Sequence, residues 1–226
     1  MPFIISVEGV ISTGKSTLIS QCLVPILTEM GYKVKVIPEP VDKWVESGLL
    51  QKFYDDPHRW GYSFQTSVFH DRITEVIKVY NEEPKADIYI MERSCASDKI
   101  FMKVLKQDGI VSDLEYALYQ NWADLWTQLM PALPDLVVFL RTEVGICMNR
   151  LKRRNREGEE GVSMDYQSKL LTNHDLMFGG RTVTMGSKNV PCITINGDQD
   201  FISDRTVQLE IVNKIGGNLK APPVLP

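Results

Sequence analysis

The chain has 226 residues, 43% hydrophobic and 24% charged, with a formal net charge of −4. That length suits one well-packed domain with a small mobile subregion, and the composition is that of an ordinary soluble globular protein. The charge gives no prior for nucleic acid or a membrane surface. No apolar run approaches the roughly 18–20 residues of a membrane-spanning helix.

Four widely spaced cysteines, Cys22, Cys95, Cys147 and Cys192, form no Cys-x-x-Cys pair and read as reduced core thiols. Three scattered histidines, His58, His70 and His174, lack metal-ligand spacing. A strand beginning just after Met1 leaves no room for a transit peptide, so a cytoplasmic location is expected.

Residues 3–8, FIISVE, are apolar and β-branched and predict a first strand. Leu18, Ile19, Cys22, Leu23, Ile26, Leu27 and Met30 have helical spacing over 15–30, which stops at Gly31. KVKVI (33–37) predicts a second strand ending at Pro38; 43–53 and 59–81 read as helices around the turn DDPH. DIYIM (87–91) predicts a third strand, followed by helices over 96–107 and 112–130. Leu136–Leu140 is a fourth strand and 143–154 a helix; a polar lid segment spans 153–162, and 163–178 is helical. CITI (192–195) reads as a short fifth strand and 202–214 as a closing helix.

Strands alternating with helices argue for a parallel sheet with helices on both faces. The expectation is one domain over 1–215 with five parallel strands in the order 2-3-1-4-5. The segment GGNLKAPPVLP (216–226) is expected to form a mobile tail.

GVISTGKS (9–16) matches G-x-x-x-x-G-K-[ST] between a predicted strand and a predicted helix, the context this phosphate loop requires. Glycines let the backbone aim N–H groups at phosphate oxygens, and the helix N-terminus adds partial positive charge. Lys15 is placed to reach β- and γ-phosphates, and the Ser16 hydroxyl to ligate Mg²⁺. A three-layer fold of the P-loop nucleoside triphosphatase type follows. A GTPase switch should carry N-K-x-D, but the nearest string, GSKNV (186–190), lacks the Asp. An ATPase motor usually ends a strand in adjacent acids, whereas here Glu92 is followed by Arg93.

Charged side chains at the carboxyl ends of buried strands are costly unless they meet a ligand, and in open α/β sheets that edge is where ligands bind. Glu39, in PEPVDKW (38–44), is therefore a candidate base for an acceptor hydroxyl. Arg150, Arg154 and Arg156, in RLKRRNREGEE (150–160), suit a lid that neutralises a transferring phosphoryl group and excludes water. In LLQKFYDDPHRWGYSFQTSVFHDR (49–72), aromatics flank the amide Gln65, as a flat hydrogen-bonding ligand such as a nucleobase would need. A nucleoside monophosphate kinase of the thymidylate kinase type is the alternative, but it would want more arginines in this segment.

Taken in order, GVISTGKST, EPVDKW, FYDDPHRWGYSFQT, ERSCASD, RLKRRNREGEEG and GDQDF resemble the eukaryotic-type deoxyribonucleoside kinases from residue 9 to about 201. The deoxycytidine and purine deoxynucleoside kinases are the most similar subgroup. The resemblance implies ATP-dependent phosphorylation of a deoxynucleoside 5′-hydroxyl, with Mg²⁺, small-molecule partners and a homodimer with helices near 59–81 and 112–130 as candidate surfaces.

It implies a phosphate-binding set of Gly9, Ser12, Thr13, Gly14, Lys15, Ser16 and Thr17, with Arg150, Arg154 and Arg156 on the lid and its helix. Gln199, Asp200 and Phe201 fall on the loop flanking the donor's adenine. Glu39 becomes the general base, Arg93 holds the hydroxyl and the incoming phosphate, and Glu92 supports the metal with Ser16. The implied nucleoside site has Gln65 reading the base, with Trp44, Phe53, Phe64 and Val68 around it, and Tyr54 and Glu159 on the sugar 3′-hydroxyl. Met102 replaces a stacking Phe and loosens the pocket; Gly158 replaces an acid, so Glu159 and Glu160 both stand near the sugar. Arg72 and Asp98 mark the subgroup that prefers deoxycytidine and purine deoxynucleosides over thymidine. An ionised Asp98 held by Arg72 meets an exocyclic amine well and thymine O4 badly.

Overall fold

In the computed structural model, which describes residues 1–219, β1 (Phe3–Glu8) runs through the middle of a sheet and feeds the phosphate loop. The loop opens into α1 (Lys15–Leu18), a π-helical turn (Ile19–Leu23) and α2 (Val24–Glu29). This is the helix expected over 15–30. Pro25 has no N–H for the carbonyl one turn back, and the ladder before it widens into the π turn.

Next come β2 (Val34–Ile37), α3 (Val41–Glu46) and α4 (Leu49–Asp55). The single helix expected over 43–53 is thus two, broken where Gly48 takes a φ of 69°. A long α5 (Pro57–Asn81) follows, begun by Asp56 accepting from the Arg59 N–H at 3.1 Å. The chain continues through β3 (Ile88–Glu92), α6 (Cys95–Gln107), α7 (Asp113–Leu129), β4 (Leu136–Arg141), α8 (Val144–Arg154) and α9 (Met164–Phe178). It closes with β5 (Thr182–Met185), β6 (Lys188–Asn196) and α10 (Arg205–Gly216).

The sheet order is β2-β3-β1-β4-β6-β5. The first five strands of that order are parallel and keep the predicted arrangement, with β6 as the CITI strand. The count of five is corrected to six: β5 pairs antiparallel with β6 as an edge hairpin. Its TVTM alternates exposed and buried residues, the period of a half-covered edge strand.

Alternating side chains along the strands face different helices. Ile5, Val7, Ile88, Ile90, Leu136 and Val138 pack with α1, α2 and α10, whereas Val137 and Phe139 pack with α6, α8 and α9. A separate aromatic cluster joins α3 to α7, including Trp44, Phe53, Phe64, Phe69 and Tyr119. All four cysteines are free and buried. Among the described residues no helix is long and apolar enough to cross a membrane. Of the tail expected over 216–226, residues 220–226 lie outside the described residues, and Leu219 packs against the core.

Candidate active site

β1 and β3 are parallel neighbours in register, so the phosphate loop after Glu8 and the ERS corner after Met91 emerge at the same edge. Gly9 has a φ of 151°, and a Cβ there would lie 2.7 Å from the Leu140 carbonyl, so only glycine lets β1 turn into the loop. Lys15 is buried, its Nζ donating to the Val10 carbonyl at 2.9 Å and the Gly9 carbonyl at 3.4 Å. Burial, then the nearby Arg93 charge, lower its pKa to about 7.

The Ser16 hydroxyl donates to Glu92 Oε1 at 2.8 Å. These are hard oxygen donors, which suits Mg²⁺, an ion that keeps several waters and is held largely by substrate phosphates. A dense acidic cage is not needed for that, and among the described residues no group of three His, Cys, Asp or Glu could hold a metal ion.

Arg93 occupies the left-handed backbone region, with a φ of 66°, which is unusual for a non-glycine residue. This turn sends its buried guanidinium back under the loop. Its Nη1 donates to the Gly9 carbonyl at 2.5 Å and its Nε lies 3.1 Å from Glu39 Oε1. The guanidinium also stands 4.8 Å over the Phe101 ring. From α5, Arg72 Nη2 donates to the same Glu39 oxygen at 2.8 Å, Nε to Asp98 Oδ2 at 2.7 Å and Nη1 to the Glu92 carbonyl at 3.0 Å.

Burial alone would raise the Glu39 carboxyl, but Arg93, Arg72 and Lys15 overcome it and hold it at about 2. Burial likewise opposes the charge on Arg72, yet Asp98 and Glu39 win and push its pKa up; at Asp98 burial raises the carboxyl against the pull of Arg72, and the two side chains meet in a buried 2.7 Å hydrogen bond.

These groups line a cavity of about 190 Å³. Trp44, Phe53, Tyr54, Phe64, Gln65, Val68, Arg72, Glu92, Arg93 and Asp98 all face it, with Glu159 and the lid arginines Arg154 and Arg156 at its mouth. Phe64, Val68 and Arg72 recur every four residues along α5, which puts them on one face. Phe53 and Phe64 stack 4.5 Å apart, and Trp44 is anchored by a 3.0 Å hydrogen bond to Asp71. Gln65 is buried with its Oε1 unpartnered.

A second groove, of about 660 Å³, lies across the phosphate loop. Gly14, Thr17, Arg150, Gln199, Asp200 and Phe201 line it, and Ser12, Lys15, Ser16 and Glu92 line both spaces. Ligands in the two spaces therefore meet at Lys15. Arg150 donates to the Thr13 carbonyl at 2.5 Å and the Gly197 carbonyl at 3.0 Å, fastening the loop from below. Arg154 pairs with Glu159 at 2.5 Å and Arg156 at 3.3 Å.

Thr13 lies behind the loop with its hydroxyl unpartnered. Of the two lid acids, Glu159 is buried at the cavity and Glu160 is exposed. Met102 does not reach the cavity wall; it is fully buried with Phe69, Leu105 and Tyr119, and Phe101 is the α6 residue that faces inward. Phe101 and Met102 lie three and four positions beyond Asp98, so spacing alone did not separate them.

Ile11, Val41, Asp42, Leu50 and Tyr166 also line the cavity and were not singled out from sequence. Nor was Glu8, fully buried, whose carboxylate accepts from the Ser94 N–H at 2.9 Å and from the Ser97 hydroxyl. It pins the ERS corner to β1. The signal was present, since FIISVE ends in an acid just as β3 does.

A phosphate loop at the sheet's carboxyl edge, with a groove on one side and a charged, aromatic-lined cavity on the other, defines a P-loop phosphoryl-transfer enzyme. The chain belongs to the deoxynucleoside kinase family, whose pattern it matches over residues 5–219. It is 38% identical to a probable deoxycytidine kinase of fowlpox virus (strain NVSL), over 93% of this chain and 86% of that one. It is 31% identical to deoxycytidine kinase 2 of Gallus gallus, over 93% and 88% of the two chains. With the mitochondrial deoxyguanosine kinase of Xenopus laevis it shares 29% identity, over 93% and 87%.

Proposed function

We propose that this enzyme transfers the γ-phosphoryl group of ATP to the 5′-hydroxyl of a deoxynucleoside, favouring deoxycytidine or a purine deoxynucleoside over thymidine. The observation that carries the reading is the cavity's layout. Lys15, Glu39, Arg93 and the Arg72–Asp98 pair share its wall, and Glu39 accepts from Arg72 at 2.8 Å and pairs with Arg93 at 3.1 Å.

The base enters among Trp44, Phe53, Phe64 and Val68, with Gln65 and Asp98 reading its polar edge. Tyr54 and Glu159 take the sugar 3′-hydroxyl. Glu39 then faces the 5′-hydroxyl, ionised at neutral pH because its pKa is about 2. A carboxylate held so low is a weak base, which suits a loose phosphoryl-transfer transition state in which the proton leaves late. Arg93 follows the phosphoryl group, and Lys15 exchanges loop carbonyls for phosphate oxygens.

Arg154 and Arg156 close over the donor, and Gln199, Asp200 and Phe201 border its base. Ser16 and Glu92 would hold Mg²⁺, which would neutralise charge on the donor's phosphates. The kinase unit covers 1–215 with its lid over 153–162. Leu114, Leu118, Leu125 and Leu129 leave an exposed apolar stripe on α7, and Ile77 is exposed on α5, which supports a homodimer through these helices. Small molecules and a second copy are the partners; neither nucleic acid nor a membrane is called for, and a cytoplasmic setting fits.

The test is phosphorus NMR of deoxycytidine with ATP and Mg²⁺, which should show a 5′-monophosphate and ADP in equal amounts. Transfer to nucleoside monophosphates alone, or tight GTP binding with no transfer, would contradict the proposal.

A further inference from the structure

Arg72 makes more contacts than base recognition needs. Its three nitrogens engage Asp98 on α6 at 2.7 Å, Glu39 beyond β2 at 2.8 Å and the Glu92 carbonyl at the end of β3 at 3.0 Å. Its side chain and that of Asp98 are only 3% and 2% exposed, so water offers neither a ready alternative.

A guanidinium is planar and its N–H groups leave in fixed directions. The bonds to Asp98 and Glu39 therefore turn together: Arg72 cannot swing toward one carboxylate without changing its aim at the other. We infer that Arg72 is a positioning residue for phosphoryl transfer, a rigid strut by which the base-reading Asp98 fixes the Glu39 carboxylate at the attacking hydroxyl. This rests on the deoxynucleoside kinase reading above and adds a coupling between the two ends of its acceptor cavity.

Without the strut, Glu39 keeps only Arg93, 3.1 Å away, and can pivot about it. The groups around Glu39 are few. Arg93 comes from the ERS corner, Arg72 from α5 and Lys15 from the phosphate loop; Asp98, Asp42, Glu92 and Glu159 are the carboxylates on the same walls, and Arg154 and Arg156 are the lid cations there. Removing Arg72 takes away one of three cations and leaves burial, which disfavours the ionised form, less opposed.

The experiment is steady-state phosphorylation of deoxycytidine from pH 5 to 8 by the full-length wild type, Arg72→Gln and Asp98→Asn. The amide that Asp98→Asn introduces keeps an oxygen to accept from Arg72 Nε but loses the charge, so this variant should raise KM, lower kcat less than Arg72→Gln does and move the acid limb less. Arg72→Gln should raise KM and also lower kcat about 10²-fold, as small misplacements of reacting groups do. Its kcat should begin to fall toward the acid end of this range, an acid limb moved up from about 2 to or above the ordinary carboxylate value of about 4.3. In the wild type kcat should stay level over this range on the acid side.

Arg72→Gln leaves the buried Asp98 carboxylate without its partner and risks misfolding. The charge-balanced Arg72→Gln/Asp98→Asn variant avoids this, removes Asp98's own titration and should still show the low kcat and the moved limb. If neither Arg72 variant lowers kcat or moves the limb while KM rises, Arg72 only reads the base and the inference fails. If Asp98→Asn moves the limb equally, the inference also fails. A wild type that phosphorylates no deoxynucleoside would overturn the functional reading itself, a result distinct from either.

Discussion

At the acceptor end of the cleft, the charged groups are already seated against protein partners before any ligand arrives, whereas the donor end is half open. Arg72 and Arg93 have side chains 3% exposed, while Arg154 and Arg156 on the lid are 33% and 32% exposed. The buried pair sits on α5 and on the corner after β3, both fixed by the core. The lid pair rests on Glu159, and Lys15 rests on carbonyls of its own loop.

The difference teaches how one cleft can serve two kinds of ligand. Reading a base needs donors and acceptors held in place, because discrimination comes from leaving the wrong partner unpaired. Binding a triphosphate needs cations that can exchange protein oxygens for phosphate oxygens and then release them. On the proposed reading, the first half of the site is built in advance, and the second is left for its ligand to complete.

Breaking the shared wall should cost most. Lys15→Ala removes the buried phosphate-loop cation, which lines both spaces, and should lower turnover with every acceptor by at least about 10³-fold in a coupled ADP assay. Glu39→Gln keeps the shape of the acceptor end but not its charge. Its kcat should fall roughly 10²–10⁴-fold while ATP affinity, measured by equilibrium binding, stays near the wild-type value. Near-normal kcat would remove Glu39 from the chemistry.

Arg72→Met with Asp98→Ala should trade one base for another, raising kcat/KM for thymidine relative to deoxycytidine by about 10²-fold or more. An unchanged ratio would make the pair a tie between α5 and α6 and nothing else.

The smallest effect concerns the donor end and protons. Lys15 sits at about 7 in the free protein, below its ordinary value of about 10.4, so near pH 8 it is largely neutral. Bound phosphates favour the charged form, so ATP binding at pH 8 should take up as much as about one proton per site. Uptake through Lys15 should fade as pH drops below 7, where the lysine is already charged. Calorimetry in buffers of different ionisation enthalpy measures this directly, and no uptake at pH 8 would mean Lys15 is charged in the free protein.

Much of the site could be read from the chain because its chemistry lies at strand ends. The phosphate loop, Glu39, Glu92 and Arg93 all follow apolar strands, and that pattern survives any detail of helix packing. The Arg72–Asp98 pair was legible only through the family resemblance, since 26 residues separate its members. What stayed hidden depended on packing between elements.

Whether Phe101 or Met102 faces the ligand is decided by how α6 is rotated against α5 and α7. The β5–β6 hairpin is so short that TVTM shows its alternation only once the strand is paired with Asn189 and Val190. Gly48 splits one predicted helix in two, where the pattern of apolar residues runs on unbroken. Glu8 escaped notice because the motif begins one residue later, although its carboxylate fastens the ERS corner.

The most direct test of the whole account is a panel of kcat/KM values at one ATP concentration. It should include deoxycytidine, deoxyadenosine, deoxyguanosine, thymidine and their monophosphates. The account predicts turnover of one or more of the first three at the 5′-hydroxyl, with thymidine well behind and the monophosphates inactive. Preference for thymidine, or turnover confined to the monophosphates, would contradict it.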